Sequence, residues 1–178
     1  PSLNLLFYKM EYSRKNFISP EEFYEIFISK HQSFEPHTQQ DALEFIQYFL
    51  DDIKGDAYKL FEWKLQTKYN KLEDGQEISS RIETNVSLPL SVKSGSMEES
   101  LREFFSPQKL TGDNLYQLSN GMKMESIVTQ KIETAPPVLI FQLARFSFDK
   151  ERKHRIKINT KFTILDKIDI KKYMLNSN

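Results

Sequence analysis

The hydrophobic pattern of the first 55 residues predicts three helices, because apolar side chains recur there every three or four positions. The second helix is expected to begin in "SPEE", with Ser19 as its N-cap and Glu22 as the capping-box partner. The apolar stripe of the first helix consists of Leu3, Leu6, Phe7 and Met10. The predicted buried stripe of the second helix consists of Phe23, Ile26 and Phe27.

The third helix has the most regular pattern of the three. Thr38 is expected to cap it, which puts Asp41 at the third helical position, and Gly55 suits its end. Its apolar face consists of Ala42, Phe45, Ile46, Phe49, Leu50 and Ile53. A fourth helix is expected from Ser96, with Glu99 in a capping box and with Leu101, Phe104 and Phe105 facing inward.

Much of the rest of the chain alternates between apolar and polar positions, which predicts strands. Residues 136–148 are almost solidly apolar and predict a central strand, residues 155–170 predict one or two more, and the polar stretch 67–80 is expected to be a loop. Pro89 suggests an edge or a bulge. The apolar positions of the two alternating stretches are Ile82, Val86, Leu88, Leu90 and Val92, and then Met122, Met124, Val128 and Ile132. Since helices come first and strands later, the predicted class is α+β.

Charge and composition narrow the possible functions. Lys plus Arg equals Asp plus Glu at 25 each, which argues against a protein that binds nucleic acid through its phosphates. No apolar run reaches membrane-spanning length and no signal-peptide pattern is present, so an intracellular protein, cytoplasmic or nuclear, is expected. The chain has no cysteine, which excludes a cysteine nucleophile and thiolate zinc ligands within it.

Several segments, read in order, resemble the ubiquitin-specific proteases, which are papain-like deubiquitinases. The segments are "QQDALEFIQYFLDDI" (39–53), "SLPLSV" (87–92), "SMEESLREFF" (96–105), "LTGDNLYQL" (110–118), "PPVLIFQLARFSFD" (136–149), "KINTKF" (157–162) and "IDIKKYM" (168–174). The resemblance implies a helical thumb-like part (1–55), a fingers-like part without a zinc ribbon (56–135) and palm-like strands (136–178). It implies ubiquitin or a ubiquitinated protein as the partner, and no cofactor.

The chemistry implied by the resemblance is acyl transfer by a cysteine with a histidine base. The family's cysteine box would precede this chain and its histidine box would follow it, so we expect no catalytic residue here. Each of the three histidines, His31, His37 and His154, is expected to be an ordinary exposed side chain.

The resemblance also implies a site for the extended, arginine-bearing C-terminal tail of ubiquitin. Asp41 is the first candidate to bind a tail arginine and Glu44 the second, with Gln39 and Gln40 contacting the tail backbone. Phe146 matches an aromatic that contacts the tail, and Phe148 lies where another often occurs. The alternative for Asp41 is a purely structural role at the helix start; for the two phenylalanines it is packing in the core.

The chain departs from the family pattern where many members bind zinc. The two Cys-x-x-Cys pairs of the zinc ribbon would fall near Lys71 and Asp74 and at Leu118 and Gly121, so no metal is expected. Asn120-Gly121 instead predicts a two-residue hairpin turn with positive φ at both positions.

Three functions stay open on the sequence alone. The chain is interpreted first as an internal piece of an active deubiquitinase that positions the ubiquitin tail. The alternatives are a catalytically inactive ubiquitin-binding pseudoprotease and an interaction scaffold.

Overall fold

The computed structural model describes residues 2–149 and 153–176, without the side chains of Phe148, Asp149 and Arg155. The α-helices are α1 (Ser2–Tyr12), α2 (Glu21–Lys30), α3 (Ala42–Ile53), α4 (Asp56–Lys59) and α5 (Met97–Phe105). Short 3₁₀ turns lie at Val92–Ser94, Gly112–Asn114 and Lys171–Tyr173. Among these residues, no helix has both the length and the apolar character needed to cross a membrane.

The strands are mostly antiparallel, as predicted for this α+β class. They are β1 (Trp63–Lys71), β2 (Glu77–Asn85), β3 (Ser87–Ser91), β4 (Gln108–Leu110), β5 (Tyr116–Gln117), β6 (Lys123–Met124), β7 (Ser126–Thr134), β8 (Ile140–Ala144), β9 (Phe146–Asp149) and β10 (His154–Lys157). The main sheet has the order β2-β1-β7-β4, and β5 with β6 and β9 with β10 form antiparallel pairs. The pair of β3 with β8 is parallel.

The chain divides into two compact units, Pro1–Ile53 and Lys54–Asn178. The first contains α1 to α3, and the second contains the remaining elements. The thumb-like, fingers-like and palm-like parts, with boundaries after residues 55 and 135, stay predictions.

The core of the first unit is built from aromatic rings around Phe27, which is 5% exposed. Its ring lies 5.3 Å from that of Phe34 and 4.9 Å from that of Phe45. The buried stripe predicted for α2 is wrong at Ile26, which is 49% exposed. Phe7 and Met10 of α1 are also exposed, so helical spacing predicted α1 correctly but does not mark a buried face there.

The core of the second unit lies between the main sheet, β3 and α5. Leu88 and Leu90 of β3 are fully buried, and Leu101 of α5 and Trp63 of β1 are 1% exposed. Ser96 caps α5 as predicted, since its Oγ accepts a hydrogen bond from the N–H of Glu99 at 3.2 Å. The Glu99 carboxylate binds Arg102 instead of completing a capping box.

Three strand predictions need correction. The stretch 67–80 is not a loop, because β1 and β2 occupy most of it and Thr67 fills a core position at 1% exposure. The alternation from Ile82 to Val92 is divided between β2 and β3, and Ile82 is 51% exposed.

The apolar run 136–148 is likewise two strands, β8 and β9, separated at Arg145. It is not a central strand, since β8 pairs with β3 alone among the described residues. Its side chains from Ile140 to Leu143 are half-buried. Pro89 is exposed in β3, at an edge as predicted.

Candidate functional site

Asp41 is the N-cap of α3, one residue before the helix begins. Its Oδ1 accepts hydrogen bonds from the N–H of Leu43 at 2.7 Å and of Glu44 at 3.4 Å, and its carbonyl accepts from the N–H of Phe45 at 3.0 Å. The prediction that Thr38 caps this helix is wrong, because Thr38 Oγ1 donates to the Glu35 carbonyl in the preceding turn. An aspartate satisfies the first helical N–H groups in this position and suits the positive end of the helix dipole.

The cap uses only one oxygen of the Asp41 carboxylate. Oδ2 makes no hydrogen bond with any residue within the described ranges, and the side chain is exposed. A carboxylate held in this way by its own helix has a fixed direction and one oxygen directed at solvent. Such an oxygen can accept a charge-assisted hydrogen bond from a guanidinium.

The two glutamines before Asp41 differ in how firmly they are held. Gln40 Nε2 donates to Thr38 Oγ1 at 2.6 Å and reaches the Glu35 carbonyl at 3.5 Å, so its side chain folds back on the turn. Gln39 is exposed. Of the two, Gln39 is therefore better placed to contact an added peptide.

An apolar pocket of about 230 Å³ lies beside the cap. Apolar and aromatic side chains of α2, α3 and the turn between them form most of its wall, and Glu35, Thr38, Gln40 and Asp41 contribute its polar groups. A negatively charged group therefore adjoins an apolar surface at the start of α3.

Glu44 lies one turn further along α3, where a shallow groove of about 550 Å³ is lined by Asp41, Glu44, Tyr48 and Asp51 among others. Residues three and seven positions apart share one face of a helix, which accounts for this grouping. In the described structure, the Glu44 carboxylate forms no ion pair. Its exposed carboxylate is therefore accessible to a ligand, and its role as the second candidate stays a prediction.

His31 is not the exposed side chain that the sequence suggested, since only 11% of its side chain is exposed. Its ring packs on those of Phe27 and Tyr48, with centroids 4.6 and 4.7 Å apart, and its Nε2 lies 2.8 Å from Asp52 Oδ2. Lys30 binds the other oxygen of Asp52. These contacts join the end of α2 to the end of α3.

Asp52 has a perturbed pKa. Burial alone would raise the pKa of this carboxyl, but hydrogen bonds from Lys30 and His31 and the charges on both residues outweigh burial and lower it. Sequence reasoning missed this cluster because its members are 21 and 22 positions apart. The nearest signal is the Lys30-His31 pair at the end of α2, where a helix terminus favours positive charge.

Phe146 is the first residue of β9 and is 68% exposed, so it is not a core residue. Phe148 belongs to the same strand, but its side chain lies outside the described part of the chain. The neighbouring Arg145 serves internal hydrogen bonding, donating to the carbonyls of Ile158 and Thr160 at 3.2 Å each. The candidates thus fall into two groups, Gln39 to Glu44 in the first unit and Phe146 with Phe148 in the second.

The two turns where the family's zinc ligands would fall are closed by hydrogen bonds and a glycine. In the β1–β2 turn, Asn70 Nδ2 donates to the Gly75 carbonyl at 2.8 Å, and the N–H of Gln76 donates to Asp74 Oδ1 at 2.9 Å. In the β5–β6 turn, Gly121 donates from its N–H to the Leu118 carbonyl at 2.9 Å and has φ +83°.

The predicted turn type for Asn120-Gly121 is wrong. Asn120 has a negative φ, so only the glycine is left-handed, as in a type I turn followed by a glycine bulge.

Comparison with known proteins agrees with the resemblance seen in the sequence. The family model described as ubiquitin carboxyl-terminal hydrolase matches residues 2–178. Ubiquitin carboxyl-terminal hydrolase 47 of Xenopus tropicalis is 35% identical over 124 residues, which are 65% of this chain and 9% of that protein. Ubiquitin carboxyl-terminal hydrolase 15 of Schizosaccharomyces pombe is 30% identical over 183 residues, which are 97% of this chain and 16% of that protein.

A further relative is ubiquitin carboxyl-terminal hydrolase 7 of Drosophila melanogaster, 29% identical over 149 residues, or 78% of this chain and 13% of that protein. The fold and these matches define an α+β domain of the papain-like fold family. The chain belongs to the ubiquitin carboxyl-terminal hydrolase family. It spans between 9% and 16% of the length of these three curated relatives.

Proposed function

We propose that this chain is part of a deubiquitinating cysteine protease domain and that it positions the C-terminal tail of ubiquitin through the start of α3. The observation that supports this most directly is the divided role of Asp41. One oxygen caps the helix and the other is free of hydrogen bonds within the described structure, so the charge is both fixed and available. A fixed carboxylate loses little freedom when it binds an arginine of the tail.

The surroundings of Asp41 suit a basic, extended ligand. Glu44 and Asp51 follow it along the same groove on α3, and Gln39 is exposed beside it. Since the first unit has four basic and nine acidic residues, its net charge would also attract a positively charged tail. Phe146, with its exposed ring, is expected to contact the tail by stacking on an arginine or on its apolar neighbours.

The contribution of this site to turnover would be orientation of the substrate. Holding the bond to be cleaved in one position supplies a large part of the rate enhancement of many enzymes. Substitutions of side chains that bind the tail but never touch the reacting atoms are therefore expected to lower kcat/KM. The intracellular location stays a prediction.

The test separates the charge of Asp41 from its role as a cap. Asparagine is as good an N-cap as aspartate but carries no charge, so Asp41→Asn should leave the unfolding free energy within about 0.5 kcal/mol of the wild type. Binding of fluorescently labelled ubiquitin by the full chain should weaken about tenfold or more, as expected for loss of a charge-assisted hydrogen bond. Asp56→Asn, at a side chain that is 98% exposed, is the matched control and should leave the affinity unchanged.

A second arm identifies the group that Asp41 contacts. If Asp41 binds a tail arginine, Asp41→Asn should have little further effect on ubiquitin whose tail arginines are changed to alanine. Equal losses with both ubiquitins would refute the tail contact. Affinity that is unchanged by Asp41→Asn would favour an interaction scaffold over a tail-positioning role.

A further inference from the structure

β2 is a long strand at an open edge of the main sheet. Among residues 2–149 and 153–176, it pairs with β1 alone, and its nine residues include neither proline nor glycine. Most of its side chains are exposed, and Ile82 at its middle is 51% exposed. By contrast, the other end of the sheet is the three-residue strand β4. An edge of this kind has unpaired backbone groups to which another strand can bind.

A symmetric antiparallel pair of two β2 strands can form only in certain registers. Outward-facing backbone groups alternate along a strand, so paired residues must both face outward or both face inward. One residue therefore lies opposite its own copy at the two-fold axis. The charges on Glu77, Arg81 and Glu83 then limit which residue can lie at this axis.

In the register centred on Ile82, two of these charges are complementary. Arg81 of each strand lies opposite Glu83 of the other, which gives two interchain ion pairs on one face of the sheet. On the opposite face, Ile82 contacts its own copy and is removed from water.

The neighbouring registers bring like charges together. Centring on residue 81 opposes two arginines, centring on residue 83 opposes two glutamates, and centring on residue 80 opposes Glu83 to Glu77. Like charges directly opposite each other are destabilising. Centring on residue 79 also opposes Glu77 to Arg81, but it pairs only residues 77–81 and leaves Ile82 outside the paired segment. Centring on Ile82 pairs residues 79–85, so length, charge and apolar contact together favour that register.

We propose that β2 is a self-association surface through which two copies of this protein pair antiparallel, centred on Ile82. Within one chain, Arg81 Nε lies 3.6 Å from Glu83 Oε1, and both side chains are about half exposed, so neither is committed to a buried partner. A single strand pair covers a small area, so the complex is weak and forms at high protein concentration.

The experiment is sedimentation equilibrium of the full chain over a range of concentrations. The wild type should rise from the mass of one chain toward twice that mass as the concentration approaches about 1 mM. R81E and E83R should each weaken self-association by about tenfold or more, because each opposes like charges twice. The double variant R81E/E83R reverses both pairs and should associate as the wild type does.

A mixture of the two single variants tests the contact between chains directly. R81E alone and E83R alone should be monomeric, while an equimolar mixture should form a heterodimer, since acidic positions of one chain then face basic positions of the other. Circular dichroism of each variant checks that it is folded, and R102E, at an exposed side chain of α5, is the charge control. A wild-type chain that stays monomeric up to about 1 mM, or a mixture that does not associate, would overturn the proposal.

Discussion

The two units of the molecule differ in how they bury apolar side chains. Among the residues that the structure describes, the buried hydrophobic side chains of the first unit are Phe27, Phe34 and Leu50, whereas the second unit has eleven between Trp63 and Tyr173. The first unit has four basic and nine acidic residues, and the second has 21 and 16. The total charge is therefore balanced because the first unit is acidic and the second is basic.

This contrast shows that apolar spacing carries different information in the two units. In α1 and α2, apolar residues at helical spacing include exposed side chains such as Phe7, Met10 and Ile26. In β3 and α5, most apolar residues at the predicted positions are buried, and Phe104 is half-buried. A stripe predicts a helix in both units, but it predicts a core only where a second element packs against it.

The largest effect is expected in the core of the second unit. Leu88→Ala removes a fully buried side chain and should lower the unfolding free energy by about 2–5 kcal/mol, measured by urea denaturation. Met122→Ala, at a side chain that is 63% exposed, should change it by less than about 0.5 kcal/mol. Similar losses for both variants would contradict the core described here.

The stability of the first unit should depend more on a polar contact, the one that Asp52 makes with Lys30 and His31. Asp52→Asn removes the ion pair with Lys30 and weakens the hydrogen bond with His31, and it should cost about 1–2 kcal/mol at pH 7. Because the pKa of Asp52 is lowered in the folded state, the stabilisation is present above the unfolded pKa of about 3.9 and is lost as the pH falls through the folded value.

Urea denaturation of both proteins between pH 7 and pH 2.5 measures this dependence. The difference between wild type and Asp52→Asn should be constant down to about pH 5 and should disappear at the acidic end. A difference that is the same at every pH would mean that packing, and not charge, accounts for the loss.

A smaller effect is expected at the β5–β6 turn. Gly121 has φ +83°, so Gly121→Ala should cost about 1 kcal/mol through backbone strain, although a Cβ would meet no neighbouring atom there. The reduction in melting temperature measures it. Asn120→Ala is the comparison, since it removes the hydrogen bonds of this side chain with the N–H and Sδ of Met122 and leaves Gly121 in place.

No effect is expected from metal removal. Without cysteine, the positions that would bind zinc in relatives lack thiolates, so a chelator such as EDTA should leave the melting temperature unchanged. A fall in melting temperature that zinc restores would show that other side chains hold a metal.

Elements with strong local signals were predictable from the sequence. The third helix and α5 follow from their apolar faces, and the cap of α5 follows from Ser96 and Glu99. Asp41 was predicted inside its helix and instead caps its start, because Thr38 bonds to the carbonyl of Glu35 in the turn before the helix. Local propensity locates a helix more reliably than its first residue.

Elements that depend on distant partners were not predictable. β1 was missed because its residue Thr67 is polar. The strand nevertheless lies between β2 and β7, and the Thr67 side chain is buried. The break at Arg145 arises from hydrogen bonds to the carbonyls of Ile158 and Thr160, which no local pattern indicates. The burial of His31 against Tyr48 and Asp52 has the same kind of cause.

The parallel pairing of β3 with β8 has a consequence for how the protein reaches its native state. Ser87 lies opposite Ile140, so the chain between them must be brought back before this contact can form. Closing so long a loop costs entropy, and parallel strands form late for that reason. Until β8 pairs with β3, Leu88 and Leu90 stay accessible to other unfolded chains. Newly made protein is therefore most vulnerable to aggregation before residues 140–144 have paired with β3.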